Sequence, residues 1–169
     1  MDFPEFLTFS FEHQGVRFNA ATASQMRAAG VPDDALFGAY KADLMAQVDN
    51  AAERLRNRML TPGSGQAMEY QEVQAQAVAA LKAPSSATPA KYPMLAASIG
   101  IDIDPTTNEP ANDVVGVARA ITAAYDLWQE AGASIRGIRL AGKKAIAEAT
   151  TVEGANAALE AIEWPALAG

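Results

Sequence analysis

The chain has 169 residues, half of them hydrophobic and a fifth charged, enough for one ordinary globular domain or two small ones. A formal net charge of −7 opposes binding to a phosphate backbone, which needs clustered lysine and arginine, and the lack of cysteine excludes disulfides, thiolate metal sites and cysteine nucleophiles. No window approaches the ~18 consecutive apolar residues of a membrane span, and the acidic start (Asp2, Glu5) lacks the apolar run of a secretory signal, so a soluble, cytoplasmically made protein is expected.

Thr8-Phe9-Ser10-Phe11-Glu12 alternates, His13-Gln14-Gly15 turns, and Val16-Arg17-Phe18-Asn19 resumes an extended pattern, which together read as a β-hairpin. A lone hairpin is marginal in water, so this one must pack on the chain or pair with another. Residues 21–29 offer a short helix ended by Gly30. Val31-Pro32-Asp33-Asp34 opens the next helix, because proline fits a first turn and the acids suit the positive end of the helix dipole. Its stripe runs through Leu36, Tyr40, Leu44, Val48, Ala52, Leu55 and Met59, with Gly38 as a possible division. Thr61-Pro62-Gly63-Ser64-Gly65 stops it, and a third helix carries Met68, Val73, Ala77 and Leu81 to about Ala83. Pro84–Pro89 is a polar connector, Tyr92–Ala97 a short apolar element that docks on the helices, and 100–111 an acidic loop.

From about Asn112 to Thr150 the pattern predicts one very long amphipathic helix. Val114, Val117, Ile121, Ala124, Trp128, Ala131, Ile135, Ile138, Gly142 and Ala145 recur at steps of three and four, and the charges fall off that stripe. The predicted helix is continuous through Gly132, Gly137 and Gly142, with Trp128 in the core. Thr150 and Glu153 have capping-box spacing and start a last short helix, after which Trp164-Pro165 folds back as an apolar plug. The fold class is mainly α: an elongated helical bundle with one long C-terminal helix and a small N-terminal β-hairpin. Its segments are 1–30 (hairpin and short helix), 31–83 (helical hairpin), 84–111 (linker and acidic loop) and 112–169 (long helix and short helix), with 31–169 expected as one bundle.

Side chains that carry chemistry are sparse. Asp102, Asp104, Thr106, Asn108 and Asp113 fall at positions 1, 3, 5, 7 and 12 of a calcium-loop frame. The frame fails where it is most demanding: Thr107 stands at the glycine position, Pro110 at the ninth, and the bidentate glutamate is a shorter aspartate. Thr61–Gln66 is like a phosphate loop only in its glycines, since it lacks the lysine and follows a helix. His13, the sole histidine, would need a nucleophile such as Ser10 or Ser24 and an orienting acid. The pairs Glu69/Glu72 and Asp33/Asp34 suit solvated helix positions better than acid–base work. Phe9, Phe11 and Phe18 exceed what a hairpin can bury alone, so they either pack on the first helices or form an interface.

Three segments carry a family resemblance. Phe9–Phe18 (FSFEHQGVRF) with Thr22-Ala23-Ser24, Arg54–Gln76 (RLRNRMLTPGSGQAMEYQEVQAQ) and Ile138–Trp164 (IRLAGKKAIAEATTVEGANAALEAIEW) resemble short, alanine-rich tail-fibre-associated and tail structural proteins of tailed bacteriophages. The first is similar to their aromatic hairpin and short helix, the second to their helix–TPGxGQAxxY–helix signature, and the third to their closing long helix with its threonine cap and Trp-Pro. The 100–111 insert has no counterpart. The resemblance implies a non-enzymatic structural or adaptor protein of the virion tail, made in the host cytoplasm and acting through contacts with other tail or fibre proteins or with its own copies. It implies no cofactor, metal, nucleic acid or membrane. Phe9, Phe11, Phe18 and Trp164 are the candidate partner-binding residues. The alternatives are a tail-fibre assembly chaperone absent from the mature virion, and a small ligand- or calcium-binding helical domain.

Overall fold

The computed structural model describes residues 1–4, 7, 10–59 and 64–166, with only the backbone of Ser64 and Gly65. Phe9 and the 60–63 part of the reversal expected at Thr61-Pro62-Gly63 lie outside the described residues. The fold is mainly helical, with a small N-terminal antiparallel hairpin and one long helix. In chain order the elements are β1 Ser10–His13, β2 Val16–Asn19, α1 Ala23–Ala28, α2 Asp33–Asn57, α3 Ser64–Lys82, a 3-10 turn at Pro84–Ser86, α4 Pro93–Ala96, β3 Ile103–Asp104, β4 Glu109–Pro110, α5 Val114–Glu148 and α6 Val152–Glu160. The chain forms two compact units, Met1–Arg56 with Ser134–Gly169, and Asn57–Ala133. Helix α5 gives residues to both.

In the first unit the local chemistry sets each element. Gln14 (φ 49°) and Gly15 (φ 80°) both take positive φ, the signature of a two-residue type I′ turn whose twist matches the flanking strands. Phe11 lies opposite Phe18 and His13 opposite Val16. Helix α1 starts in a full capping box: Thr22 Oγ1 accepts from the Gln25 N–H at 3.1 Å, and Gln25 Oε1 accepts from the Thr22 N–H at 2.8 Å. Gly30, at φ 88°, ends it as expected. Gly38 does not divide α2, which is continuous from Asp33 to Asn57. Leu36, Phe37, Tyr40, Leu44 and Val48 of α2 close over Leu7, Met26, Val31, Ile146, Val152 and Ala155. A fully buried side chain of this size contributes roughly 1.5–3 kcal/mol.

Polar fasteners hold this core. Lys41 Nζ donates to the carbonyls of Ala147 (2.9 Å) and Ala149 (3.2 Å), a cation at the negative end of α5, while sitting 4.7 Å from the Phe37 ring centroid. The Tyr40 hydroxyl donates to Asn156 Oδ1 at 2.7 Å, and burial pushes its pKa up. Asp49 takes Lys143 at 2.5 Å and Arg139 at 2.7 Å, and these two cations hold its carboxyl below the usual range.

In the second unit Ala77 and Ala80 of α3 meet Tyr92, Leu95, Ala111, Val114, Val117 and Ala118. The short element expected at 92–97 does dock: Leu95 is fully buried, and the Met94 N–H, an orphan donor of α4's first turn, finds Gln76 Oε1 of α3 at 3.1 Å.

Several expectations need correction. Thr151, not Thr150, caps α6: its hydroxyl accepts from the Gly154 N–H at 3.0 Å, and Glu153 falls inside the first turn, where the dipole favours an acid. The predicted stripe on α5 also drifts. Ala124, Trp128 and Ala145 are exposed, while Ile146 is fully buried. A three-four pattern averages 3.5 residues per turn, and a straight helix has 3.6, so a buried line slides about 20° per heptad. Within the acidic 100–111 segment β3 and β4 pair, and Asp104 is buried.

Candidate interaction surfaces

The acidic loop holds a bidentate ion pair between Asp104 and Arg119. Asp104, on β3, is 4% exposed, and Arg119, on the first turns of α5, grips both of its oxygens: Nε donates to Oδ1 at 2.9 Å and Nη2 to Oδ2. The Thr106 N–H adds a donor to Oδ1 at 2.9 Å. Arg119 first, then the Thr106 N–H, holds this carboxyl far below the usual carboxylate range. Gly116 lets the loop come this close, because a β-carbon there would lie 3.0 Å from Asp104 Oδ2 and 3.0 Å from the Ala111 β-carbon. Asp113 accepts from the Gly116 N–H at 2.7 Å and so caps α5. Within the calcium-like frame, then, Asp104 is bound to a guanidinium and Asp113 to a helix end. Both serve the fold.

A similar fate meets Asp33. Arg27 Nε donates to its Oδ1 at 2.6 Å, and Arg27 Nη2 also donates to the Met1 carbonyl at 2.7 Å, which ties the chain start to α1 and α2. Arg27 lowers the Asp33 pKa. Carboxylates held toward their charged form make poor proton donors near neutrality.

Of the candidate partner-binding residues, Phe11, Phe18 and Trp164 are half-buried and pack on the first unit's core. Phe11 and Phe18 stack, with ring centroids 6.3 Å apart. Phe9 lies outside the described residues. His13 stacks on Phe11 at 6.1 Å.

More exposed apolar side chains lie on the helices. On α5, Leu127 is 69% exposed and Trp128 38% exposed, and Trp128 stacks on Tyr125 with centroids 5.8 Å apart. On α3, Met68 is 73% exposed. Sequence reasoning placed Trp128 in the core and passed over Leu127. The available signal was that the two are adjacent, so one stripe cannot bury both. A second surface is a groove of about 390 Å3 between β1 and α2, lined by Ser10, Phe11, Glu12, Ala35, Gly38, Ala39, Ala42 and Asp43. No described helix is long and apolar enough to cross a membrane. Comparison with protein-family models, with curated proteins and with solved structures finds no match to the chain.

Proposed function

We propose that the chain is a non-enzymatic structural or adaptor protein of a bacteriophage tail that works through contact with other tail or fibre proteins. One observation carries the contact half of this reading: Leu127 and Trp128 stand out from α5 beside Tyr125, on a helix with polar residues to spare. Large apolar side chains left exposed close together are what a partner covers, and aromatic residues lead the list of side chains that anchor such contacts. The tail half rests on the resemblance of the 9–18, 54–76 and 138–164 segments.

The test is co-purification of the full chain with the products of neighbouring tail genes, against a Leu127→Lys/Trp128→Lys variant. The wild type should bring down a tail protein, and the variant should not, at unchanged helical circular dichroism. In a Trp164→Phe background the Trp128 emission should move to shorter wavelength when the partner binds. A wild-type chain that binds no tail product, or a variant that binds as well as the wild type, overturns the reading.

A further inference from the structure

Helix α5 is fastened toward both ends and bare in its middle. Val114, Val117 and Ala118 are buried near its start, and Ile135 and Ile146 are buried farther on. From Arg119 to Ser134 no residue is buried, and the five from Asp126 to Glu130 are all exposed. Five successive residues pass right round a helix of ~3.6 residues per turn, so solvent reaches this stretch on every side. Tertiary packing supplies most of the stability of a protein helix, and over Asp126–Glu130 it is missing.

Local chemistry does not make up the difference. Between Arg119 and Arg136 the charged residues are Asp126 and Glu130, which stand four apart on one line of the helix and repel each other. The ion pairs of α5 among the described residues all fall outside this stretch: Arg119 with Asp104, Arg139 and Lys143 with Asp49, and Lys144 with Glu148. Gly132 adds backbone freedom, and a β-carbon there would meet nothing within 4 Å, so no close approach requires it. What supports the helical form is the Tyr125–Trp128 stack, one turn apart.

From the solvated turn, the like-charged pair and the unneeded glycine, we infer that α5 opens and recloses locally around residues 124–134 while both flanks stay helical. Opening breaks the Tyr125–Trp128 stack and separates Leu127 from its aromatic neighbours. A partner that covers Leu127 and Trp128 therefore takes the closed form and holds it shut. That consequence rests on the reading of the chain as a contact protein, whereas the opening belongs to the free chain.

The test is residue-resolved hydrogen exchange of the full chain by NMR. Relative to unstructured rates, the amides of 128–134 should exchange at least tenfold faster than those of 118–122 and 139–146. Gly132→Ala should slow the fast set about fivefold. Glu130→Lys, which turns the repulsion into an attractive pair with Asp126, should slow it about twofold. Gly137→Ala lies beyond Ile135 and should leave the fast set unchanged, although its gain in helix propensity is the same. Even protection along α5, or a fast set that Gly132→Ala does not slow, overturns the inference. So does equal slowing by Gly132→Ala and Gly137→Ala, because α5 then opens only as a whole. These results do not depend on any tail protein, so failure here and failure of the tail reading are told apart.

Discussion

Asp104 is buried because Arg119, 15 positions on, meets both of its oxygens. Folding makes this carboxyl harder to protonate, and the sign of its pH effect follows. The unfolded carboxyl takes up its proton near pH ~3.9, and the folded one only much further into acid. Between those points the unfolded state binds more protons, so stability present above about pH 4 is lost as pH falls. Asp104→Asn removes the charge, so its melting temperature should lie below the wild type's at pH 7. The gap should narrow steadily from pH 4 toward pH 2. A gap that is constant with pH would assign the loss to shape rather than charge. Neither residue type nor spacing announces this pair in the sequence. Asp104 read as one acid among several in a loop, and only the β3–β4 turn brings it back over α5.

At the scale of elements, the three glycines of α5 look alike in sequence and differ in surroundings. A β-carbon at Gly132 or Gly137 would meet nothing within 4 Å. Each change to alanine should therefore stabilise the protein by roughly 0.5–1 kcal/mol in denaturant unfolding. At Gly142 the same atom would collide with the Ile162 side chain. Overpacking of about 1–3 kcal/mol against a propensity gain of about 1 predicts a net loss near 1 kcal/mol for Gly142→Ala. Ile162→Ala should cancel that collision in a double-mutant cycle. Additive losses would place the cost elsewhere. The cap of α6 is open to a paired test: Thr151→Ala should cost ~1 kcal/mol and Thr150→Ala a few tenths at most, because only Thr151 reaches the Gly154 N–H.

Most elements were legible in the sequence, since hairpin, helix starts and helix stops depend on neighbours in the chain. Gln14-Gly15, Thr22 with Gln25, Gly30 and Pro32-Asp33-Asp34 each act locally. The length of α5 was legible too, because its apolar periodicity persists through three glycines. The burial of its middle was not. A periodic stripe reports that a face is covered somewhere, and is silent on whether the cover is the chain itself. Trp128 shows the difference: it fits the stripe and stands exposed. For the aromatic residues of the hairpin the sequence left packing and interface open, and Phe11 and Phe18 are found half-buried against the first unit's core.

For the molecule as a whole, net charge and surface apolar residues point the same way. A net charge of −7 favours encounters with basic partner surfaces, and Leu127 with Trp128 supplies the apolar contact that would hold a partner after encounter. Association with a tail protein should therefore slow as salt rises. Dissociation should change little with salt and should accelerate in the Leu127→Lys/Trp128→Lys variant, by surface-binding kinetics. The most direct measurement is quantitative mass spectrometry of purified phage particles. The account predicts this chain at a fixed ratio to the other tail proteins, and its loss when Leu127 and Trp128 are both lysine. Complete, tailed particles that lack the chain would contradict it.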